Sequence, residues 1–278
     1  MSPTLRLASF NLLSGRSPSD GRADVDRLTA AVASLDPDVL AGQEVDRHQA
    51  RTGLVDQGSA VAEAIGAVAH RFVGLVDGTP GEDGWRPASH RAGAEPGEPG
   101  EPGEPGEPGE PGDGPTYGIS LASRRPVRSW HVLRLGAAPG RYPIPLPTRP
   151  RRVMWIPDEP RAVLAAVLEE PRLTVACTHL SFVPGVNVVQ LRRVRRWLAA
   201  LPGPQVLLGD LNLPGRLPAR ITGWTPLVSA PTFPAPSPRL QLDHALAAGL
   251  PVGSHAQGRV VELEVSDHRA IVVDLRLP

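Results

Sequence analysis

Short apolar runs alternate along the chain with stretches in which apolar residues recur every three or four positions. The short runs are typical of buried β-strands, and the periodic stretches are typical of amphipathic helices. Strands are predicted at 4–10, 39–42, 117–123, 161–168, 173–178, 206–209, 241–246 and 269–275. Because no Pro/Ser-rich linker separates two cores, this alternation predicts one α/β domain over residues 1–278.

Three periodic stretches place apolar residues along one face of a helix. Their stripes are Val25, Leu28, Val32 and Leu35; Val61, Ala64, Ile65 and Val68; and Leu191, Val194, Leu198 and Leu201. The third stripe is flanked by four arginines, Arg192, Arg193, Arg195 and Arg196. These arginines either form a solvated helix face or contact phosphate groups, and the solvated face is the favoured interpretation.

Two proline-rich segments, 137–160 and 214–239, are predicted as long loops. Each contains arginines and aromatic residues, which include Tyr142, Trp155, Trp224 and Phe233. Loops of this length in a compact domain are usually functional or disordered. Both segments are therefore candidates for the border of a binding site.

Residues 95–112 are six consecutive Glu-Pro-Gly triplets. Such a composition cannot form a packed core, so the segment 79–115 is predicted to be a disordered or extended surface insertion. The 29 basic residues, all arginine, balance 29 acidic residues, and the six glutamates of the triplets leave a net charge of +6 on the remainder. That charge suits a phosphate-bearing substrate. The insertion is either a neutral spacer or an acidic tether that competes with nucleic acid.

The single cysteine, Cys177, excludes an internal disulfide and a multi-thiolate metal site. It lies in a predicted apolar strand and is expected to be buried. No apolar run is long enough to cross a membrane, and the amino terminus lacks the pattern of a secretory signal peptide. These features predict a cytoplasmic protein. A monomer is expected, and no protein partner is inferred.

Polar side chains lie at or near the ends of several predicted strands. They are Asn11, Gln43, Glu44, His179, Asp210, Asn212, Asp243, His244, Asp267 and His268. Each alone has an ordinary explanation as a turn residue, a cap or a surface histidine. Because strand ends converge on one edge of a sheet, where loops build a site, the set as a whole predicts a functional centre.

The side chains of this set suit one kind of chemistry. Carboxylate and amide oxygens without cysteine favour a hard cation such as Mg²⁺ or Mn²⁺ over zinc. Histidines beside carboxylates can stay cationic or move protons near neutral pH. An aspartate held next to an asparagine can orient and deprotonate water. Together these groups predict metal-assisted hydrolysis of a phosphate ester.

Six short motifs resemble the ordered motifs of the endonuclease/exonuclease/phosphatase superfamily, the group with the deoxyribonuclease I-like fold. They are Ser9-Phe10-Asn11, Gln43-Glu44-Val45-Asp46, Thr178-His179-Leu180, Gly209-Asp210-Leu211-Asn212, Leu242-Asp243-His244 and Ser266-Asp267-His268. The motifs occur in family order over nearly the whole chain. The resemblance implies a four-layer α-β-β-α sandwich of two packed mixed sheets flanked by helices.

The resemblance also implies roles for the matched residues. Glu44 corresponds to the principal metal ligand, with Asn11 supporting the metal or the phosphate and Asp267 close to the cation. Asp210 corresponds to the base or orienter of the attacking water, fixed by Asn212. The remaining catalytic assignments are His268 and His179 as phosphate-binding histidines and Asp243 as the residue that holds His268.

Three further residues are candidates for binding substrate. Arg161 stands where many relatives carry a phosphate-facing arginine, although a plain strand-start arginine is an equal alternative. Tyr117 begins a segment that resembles the family's Tyr-Gly-X-X-X-X-Ser-Arg pattern. Phe233, in a proline-rich loop, is a candidate for base stacking. Relatives that act at abasic DNA sites often carry asparagine where this chain has Ile119, which argues against that specialised activity.

Among the functions open to such a site, a divalent-metal nuclease that acts on DNA or RNA is favoured. The alternative keeps the chemistry and changes the substrate to an inositol phosphate or sphingomyelin-like headgroup. Neither a basic amphipathic helix nor an exposed aromatic cluster in the sequence supports a membrane surface. A non-enzymatic binding module would require the loss of a catalytic residue, and none is lost.

Overall fold

The computed structural model describes residues 4–80, 84–88, 114–146 and 152–278. The Glu-Pro-Gly triplets at 95–112 lie outside the described residues. Within the segment 79–115, which was predicted to be disordered or extended, Arg86–Pro87 is a short exposed strand that pairs with the strand ending at Asp77. Two residues carry too little pattern for a strand to be predicted from the sequence, and this strand is compatible with an extended surface segment.

In the described residues, fifteen strands form two large sheets and one hairpin. In chain order they are β1 (Thr4–Asn11), β2 (Val39–Arg47), β3 (Ala69–Asp77), β4 (Arg86–Pro87), β5 (Thr116–Ser123), β6 (Val127–Leu135), β7 (Arg141–Leu146), β8 (Arg152–Pro157), β9 (Arg161–Leu168), β10 (Thr174–His179), β11 (Gln205–Asp210), β12 (Thr225–Pro226), β13 (Asp243–Ala248), β14 (His255–Val261) and β15 (Ala270–Arg276). The first sheet has the order β14-β15-β1-β2-β5-β3-β4, the second has the order β12-β13-β11-β10-β9-β6, and β7 pairs with β8. Both large sheets are mixed, since β1–β2 and β10–β11 are parallel pairs among antiparallel ones.

Four α-helices of the described part of the chain cover the outer faces of the two sheets. They are α1 (Val25–Ser34), α2 (Gln57–Ala64), α3 (Val186–Leu198) and α4 (Leu217–Thr222), and short 3-10 turns occur at Leu13–Gly15 and Ala50–Thr52. Asp24 and Asp56 cap the amino ends of α1 and α2 by accepting a hydrogen bond from a backbone N–H of the first turn. Asp24 directly precedes the first apolar stripe and Asp56 directly precedes Gln57, the first residue of α2, so capping residues in the local sequence fix where these helices start.

The alternation of side chains along the strands builds three apolar layers. In β1, Leu5 and Leu7 point into the core between the two sheets, while Ala8 and Phe10 pack against α1 and α2. A third cluster, which includes Leu191, packs α3 and α4 on the outer face of the second sheet. The order helix, sheet, sheet, helix is the predicted four-layer sandwich, which is therefore confirmed.

The eight predicted strands are all present. Most of the strands that were not predicted lie at sheet edges, and β4, β6, β12 and β14 are the edge strands of the two large sheets. The side chains of β14 are exposed along most of its length, so it lacks the apolar run that marks a buried strand. The helix α2 ends at Ala64, and Val68, which was predicted to share its apolar stripe, is 69% exposed. That part of the stripe was wrong because the chain leaves the helix before Val68.

The two proline-rich segments are not simply loops. Segment 137–160 contains the antiparallel hairpin β7–β8, which we call the arm, and segment 214–239 contains α4 and β12. Proline at Pro143 and Pro145 masked the strand pattern of β7, which pairs on one side only and so tolerates residues without an N–H. The four arginines around the third stripe are exposed on α3.

Cys177 is fully buried in β10, as predicted. Burial raises the pKa of its thiol to about 12, so the thiolate is not formed near neutral pH. The thiol also accepts a hydrogen bond from Gln43 Nε2 at 3.3 Å, which joins the two sheets beneath the predicted site. Within the described part of the chain, no helix combines the length and apolarity that crossing a bilayer requires.

Candidate active site

The strand registers bring the predicted site residues to one edge of the sandwich. Asn11 pairs with Gln43 in the parallel pair β1–β2, and His179 pairs with Asp210 in the parallel pair β10–β11. Asp243 lies opposite Asp210 on β13. Because parallel strands reach the same edge with their carboxyl ends, residues far apart in sequence meet there.

A β-bulge turns Glu44 toward this edge. The register between β2 and β5 shifts between Gly42 and Val45, and Glu44 has φ 54°, a conformation that non-glycine residues rarely adopt. The Nδ2 atom of Asn11 donates a hydrogen bond to Glu44 Oε1 at 2.9 Å. Burial raises the pKa of Glu44, and this hydrogen bond opposes the rise. Backbone strain is thus concentrated at the predicted metal ligand.

Asn11 connects the two carboxylates at the centre of the site. Besides Glu44, its Nδ2 lies 3.4 Å from Asp210 Oδ2, and its Oδ1 accepts a hydrogen bond from the backbone of Leu13 at 3.1 Å. The amide therefore orients both carboxylates. Its oxygen keeps one lone pair with which it could approach a cation.

The Gly-Asp-Leu-Asn motif sets Asp210 in place by a close approach of two backbones. Gly209 has φ 146°, and a Cβ there would lie 1.9 Å from the carbonyl oxygen of Thr178. Only glycine lets β11 approach β10 in this way. After the strand, Asn212 turns back at φ 49° so that its N–H donates to Asp210 Oδ1 at 2.9 Å.

Asp210 is buried among groups of both charges. Its Oδ2 lies 3.5 Å from His179 Nε2 and 3.7 Å from His268 Nε2. Burial raises the pKa of Asp210 to about 7, although the nearby His268 opposes the rise. A carboxylate with this pKa can both accept and release a proton near neutral pH, which is what a general base requires.

The two histidines have opposite electrostatic environments. His268 Nδ1 is 2.9 Å from Asp243 Oδ2. Although burial disfavours its cation, Asp243 and Asp210 raise the pKa of His268 to about 10. For His179, burial, Arg161 and His268 hold the pKa well below its usual range. Of the two roles open to histidines beside carboxylates, staying cationic or moving protons, the lowered pKa of His179 favours a neutral imidazole, although Asp210 Oδ2 lies 3.5 Å from its Nε2.

Buried carboxylate oxygens without partners indicate where a cation would bind. Among the described residues, Asp267 Oδ1 and Asp243 Oδ1 are buried and have no hydrogen-bond partner. Such orphaned acceptors are costly unless a cation or water compensates them. Glu44 and Asp267 line the same cleft, and with Asn11 they offer the oxygen ligands that Mg²⁺ and Mn²⁺ prefer. The residues present therefore fit a hard divalent cation.

A second group of side chains has the spacing of a metal site. Asp210, Asp243 and His268 offer ligand atoms that all lie within 4.8 Å of one another. In this group, however, His268 Nδ1 already lies 2.9 Å from Asp243 Oδ2, within hydrogen-bond distance. The hydrogen-bonded pair with Asp243 accounts for this group better than a metal does.

The predicted substrate-binding residues line one cleft with the charged centre. The cleft has a volume of about 420 Å³, and its walls include Tyr117, Arg161 and Phe233. Arg161 is 4% exposed, its Nη2 lies 3.5 Å from Asp158 Oδ1, and its buried Nε has no partner within the described chain. Arg161 is therefore more than a plain strand-start arginine. The ring of Phe233 lies 4.8 Å from the ring of His268.

One polar residue that was expected in the functional centre lies outside the cleft, and two that were not expected line it. His244 Nε2 donates a hydrogen bond to Leu213 O at 2.8 Å and does not line the cleft, so it is a structural histidine. Sequence reasoning missed Glu159 and Arg51, which do line it. Glu159 precedes Arg161 by two residues in a charged stretch that could have indicated it. Arg51 lies in a 3-10 turn, where the sequence has no periodic pattern that could have indicated it. The nearest signal in the sequence is the motif Gln43-Glu44-Val45-Asp46.

Comparison with known proteins points to one family. The sequence model of the Endonuclease/Exonuclease/phosphatase family matches residues 8–268. No curated protein sequence matches the chain significantly. The match by family model covers the motifs at both ends of the site, from Asn11 to His268.

Solved structures share the fold at low sequence identity. An endonuclease/exonuclease/phosphatase from Beutenbergia cavernae aligns with TM-score 0.61 and 22% identity over 99% of this chain and 72% of that one. A mannosyl-6-phosphatase from Bacteroides thetaiotaomicron aligns with TM-score 0.60 and 14% identity over 98% and 99% of the two chains. Sphingomyelinase C from Streptomyces griseocarneus aligns with TM-score 0.57 and 14% identity over 98% and 99%. At these identities the likeness concerns the fold alone.

Proposed function

The chain belongs to the endonuclease/exonuclease/phosphatase family of metal-dependent phosphoester hydrolases, and we propose that it cleaves phosphodiester bonds of DNA or RNA. The observation that carries this proposal is the ring of Phe233, 4.8 Å from the ring of His268 in the cleft. An aromatic surface next to a phosphate-binding cation suits a nucleotide, because a base can stack while its phosphate is held. Arg16, Arg51 and Arg161 line the same cleft and favour an anionic substrate.

In the proposed reaction Asp210 accepts the proton of the attacking water. Its pKa of about 7 makes it a base near neutral pH. The backbone N–H of Asn212 holds the carboxylate in place by donating a hydrogen bond to Oδ1. The water oxygen forms the new bond to phosphorus, the bond to the leaving oxygen breaks, and that oxygen takes a proton from solvent. Asp210 returns its proton to solvent afterwards.

The cations of the chain bind the phosphate and its developing charge. His268, held by Asp243, donates from Nε2 to a phosphate oxygen, and the guanidinium of Arg161, which lines the cleft, supplies a second positive charge beside it. His179 is neutral and can donate a hydrogen bond without adding charge. In this proposal His268 and Arg161 carry the positive charges beside the phosphate, and His179 contributes only a hydrogen bond.

A divalent cation completes the site that we propose. Glu44 and Asp267 would hold it, with Asn11 orienting Glu44, and we assign Mg²⁺ or Mn²⁺ because the ligands are carboxylate and amide oxygens. When bound, such a cation polarises the phosphate and stabilises negative charge in the transition state. The orphaned Oδ1 of Asp267 supports this assignment.

Replacing Glu44 by glutamine should raise the metal concentration that supports half-maximal activity by about tenfold or more, because a neutral amide binds a hard cation weakly. Activity would be titrated with Mg²⁺, and Mn²⁺ binding would be measured separately by calorimetry. Glu63→Gln, on the exposed face of α2, is the matched control. Unchanged midpoints in both titrations for Glu44→Gln would remove this residue from the ligand set.

The proposed substrate class would be tested by a hydrolysis panel with Mg²⁺, Mn²⁺ or EDTA. The substrates are single- and double-stranded DNA, RNA, sphingomyelin, inositol phosphates and bis-p-nitrophenyl phosphate. Metal-dependent cleavage of a nucleic acid is expected. Cleavage of a lipid or inositol phosphate alone would overturn the substrate class and leave the phosphoester chemistry intact.

The arm favours one alternative substrate. Val153, Met154 and Trp155 on β8 are 55%, 46% and 58% exposed, and the next residue, Ile156, lines the cleft. This exposed apolar stretch was not foreseen from the sequence, and it would suit a lipid surface beside the cleft. A sphingomyelin-like or inositol phosphate headgroup is therefore the second candidate. The lipid arms of the panel distinguish it from the nucleic acid.

A further inference from the structure

Arg51 is held rigidly at the cleft by a buried carboxylate. Its Nε donates to Asp46 Oδ2 at 2.8 Å and its Nη2 donates to Asp46 Oδ1 at 2.7 Å, which is a bidentate pair. Asp46 is fully buried and also accepts from Ser14 Oγ at 3.1 Å. The position of the guanidinium is thus set by groups beneath the surface of the cleft.

One edge of the guanidinium remains available to a ligand. The Nη1 atom of Arg51 has no hydrogen-bond partner among the residues that the structure describes, whereas Nε and Nη2 are both used. The side chain is 24% exposed and lines the cleft together with Glu44 and Tyr117. The guanidinium carbon lies 5.8 Å from the centre of the Tyr117 ring, which supports the side chain from one face.

This arrangement differs from an ordinary structural ion pair. A surface pair holds two flexible side chains loosely, and it need not face a cavity. Here the carboxylate is buried, the guanidinium is hydrogen-bonded through Nε and Nη2, and the side chain lines the cleft that also contains Arg161 and His268. Preorganised donors of this kind bind a phosphate with little loss of conformational entropy.

We propose that Arg51 is a specificity-determining residue that binds a second anionic group of the substrate, a phosphate next to the one that is cleaved. The inference rests on the proposed nucleic-acid function, because a polynucleotide carries such a neighbouring phosphate and an isolated diester does not. Arg16 also lines the cleft, but it is exposed and has no carboxylate partner in the described chain, so it is not fixed in the same way.

The test compares two small substrates that differ by one phosphate. The first is the p-nitrophenyl diester of thymidine monophosphate, and the second carries an additional phosphate on the other sugar hydroxyl. The wild-type chain should have a kcat/KM about tenfold or more higher for the second substrate, which is the range of one charge-assisted hydrogen bond. Arg51→Met should lose this preference, so that its kcat/KM values for the two substrates agree within about twofold.

Arg51→Met leaves Asp46 buried without its partner and can therefore destabilise the fold. The double variant Asp46→Asn/Arg51→Gln removes both charges and should lose the preference in the same way. Arg125→Gln is the matched control, since Arg125 pairs with Asp38 and does not line the cleft. This control should keep the preference of wild type.

The outcomes separate this inference from the proposed function. If wild type hydrolyses both substrates equally, or if the double variant keeps the preference, Arg51 does not bind a second phosphate although the chain is a phosphodiesterase. If wild type hydrolyses neither nucleotide but cleaves a lipid headgroup, the proposed function fails and the inference fails with it.

Discussion

Replacing Asp210 by asparagine is expected to lower kcat for phosphodiester hydrolysis by about a hundredfold or more, because an amide cannot accept the proton of the attacking water. Asparagine has the size of aspartate and can still accept from the N–H of Asn212 at Oδ1, so the local structure should persist. The measurement is steady-state hydrolysis of the best substrate of the panel at saturating metal.

The matched control for this variant is Asp26→Asn, on an exposed position of the first turn of α1. It removes the same charge far from the cleft and should retain wild-type turnover. If Asp210→Asn keeps turnover within about threefold of Asp26→Asn, Asp210 is neither the base nor the orienter of the water. Thermal unfolding of both variants checks that the fold is retained.

Replacing His268 by alanine should also lower kcat by about a hundredfold or more, because it removes the cation that Asp243 and Asp210 maintain beside the phosphate site. The same substitution leaves Asp243 buried without its hydrogen-bond partner, which is expected to lower the free energy of unfolding by about 1–3 kcal/mol. His268→Gln keeps a donor for Asp243 and separates the two effects, since its stability should recover and its turnover should not.

An exposed histidine provides the comparison for His268. His255 lies on the edge strand β14, and His255→Ala should leave both turnover and unfolding unchanged within experimental error. Should His268→Gln recover turnover together with stability, His268 would support the fold and would not stabilise charge in the transition state.

The sequence predicted the position of the site better than its electrostatics. Asn11, His179 and Asp210 are the last residues of their strands, and the parallel pairing of those strands brings them together. Strand ends follow from hydrophobic pattern, so this meeting could be foreseen. The protonation states could not, because the difference between His179 and His268 depends on Asp243, which reaches only one of them.

Features that depend on the register of paired strands also could not be predicted from the sequence. The bulge that turns Glu44 toward the cleft arises from the pairing of β2 with β5. Nothing in the local sequence indicates that β2 has an extra residue relative to β5 at this point. The pair of Arg51 with Asp46 joins a turn to a strand without any periodic signal. Edge strands such as β14 were missed because exposed side chains on both faces remove the pattern that indicates burial.

The most direct measurement of the central claim is hydrolysis of a single-stranded oligonucleotide by the wild-type chain and by Asp210→Asn, each with Mg²⁺ and with EDTA. Cleavage by wild type in Mg²⁺, its loss in EDTA and its loss in Asp210→Asn are the expected results. Equal cleavage by wild type and Asp210→Asn, or equal cleavage with Mg²⁺ and EDTA, would contradict a metal-dependent nuclease site built around Asp210.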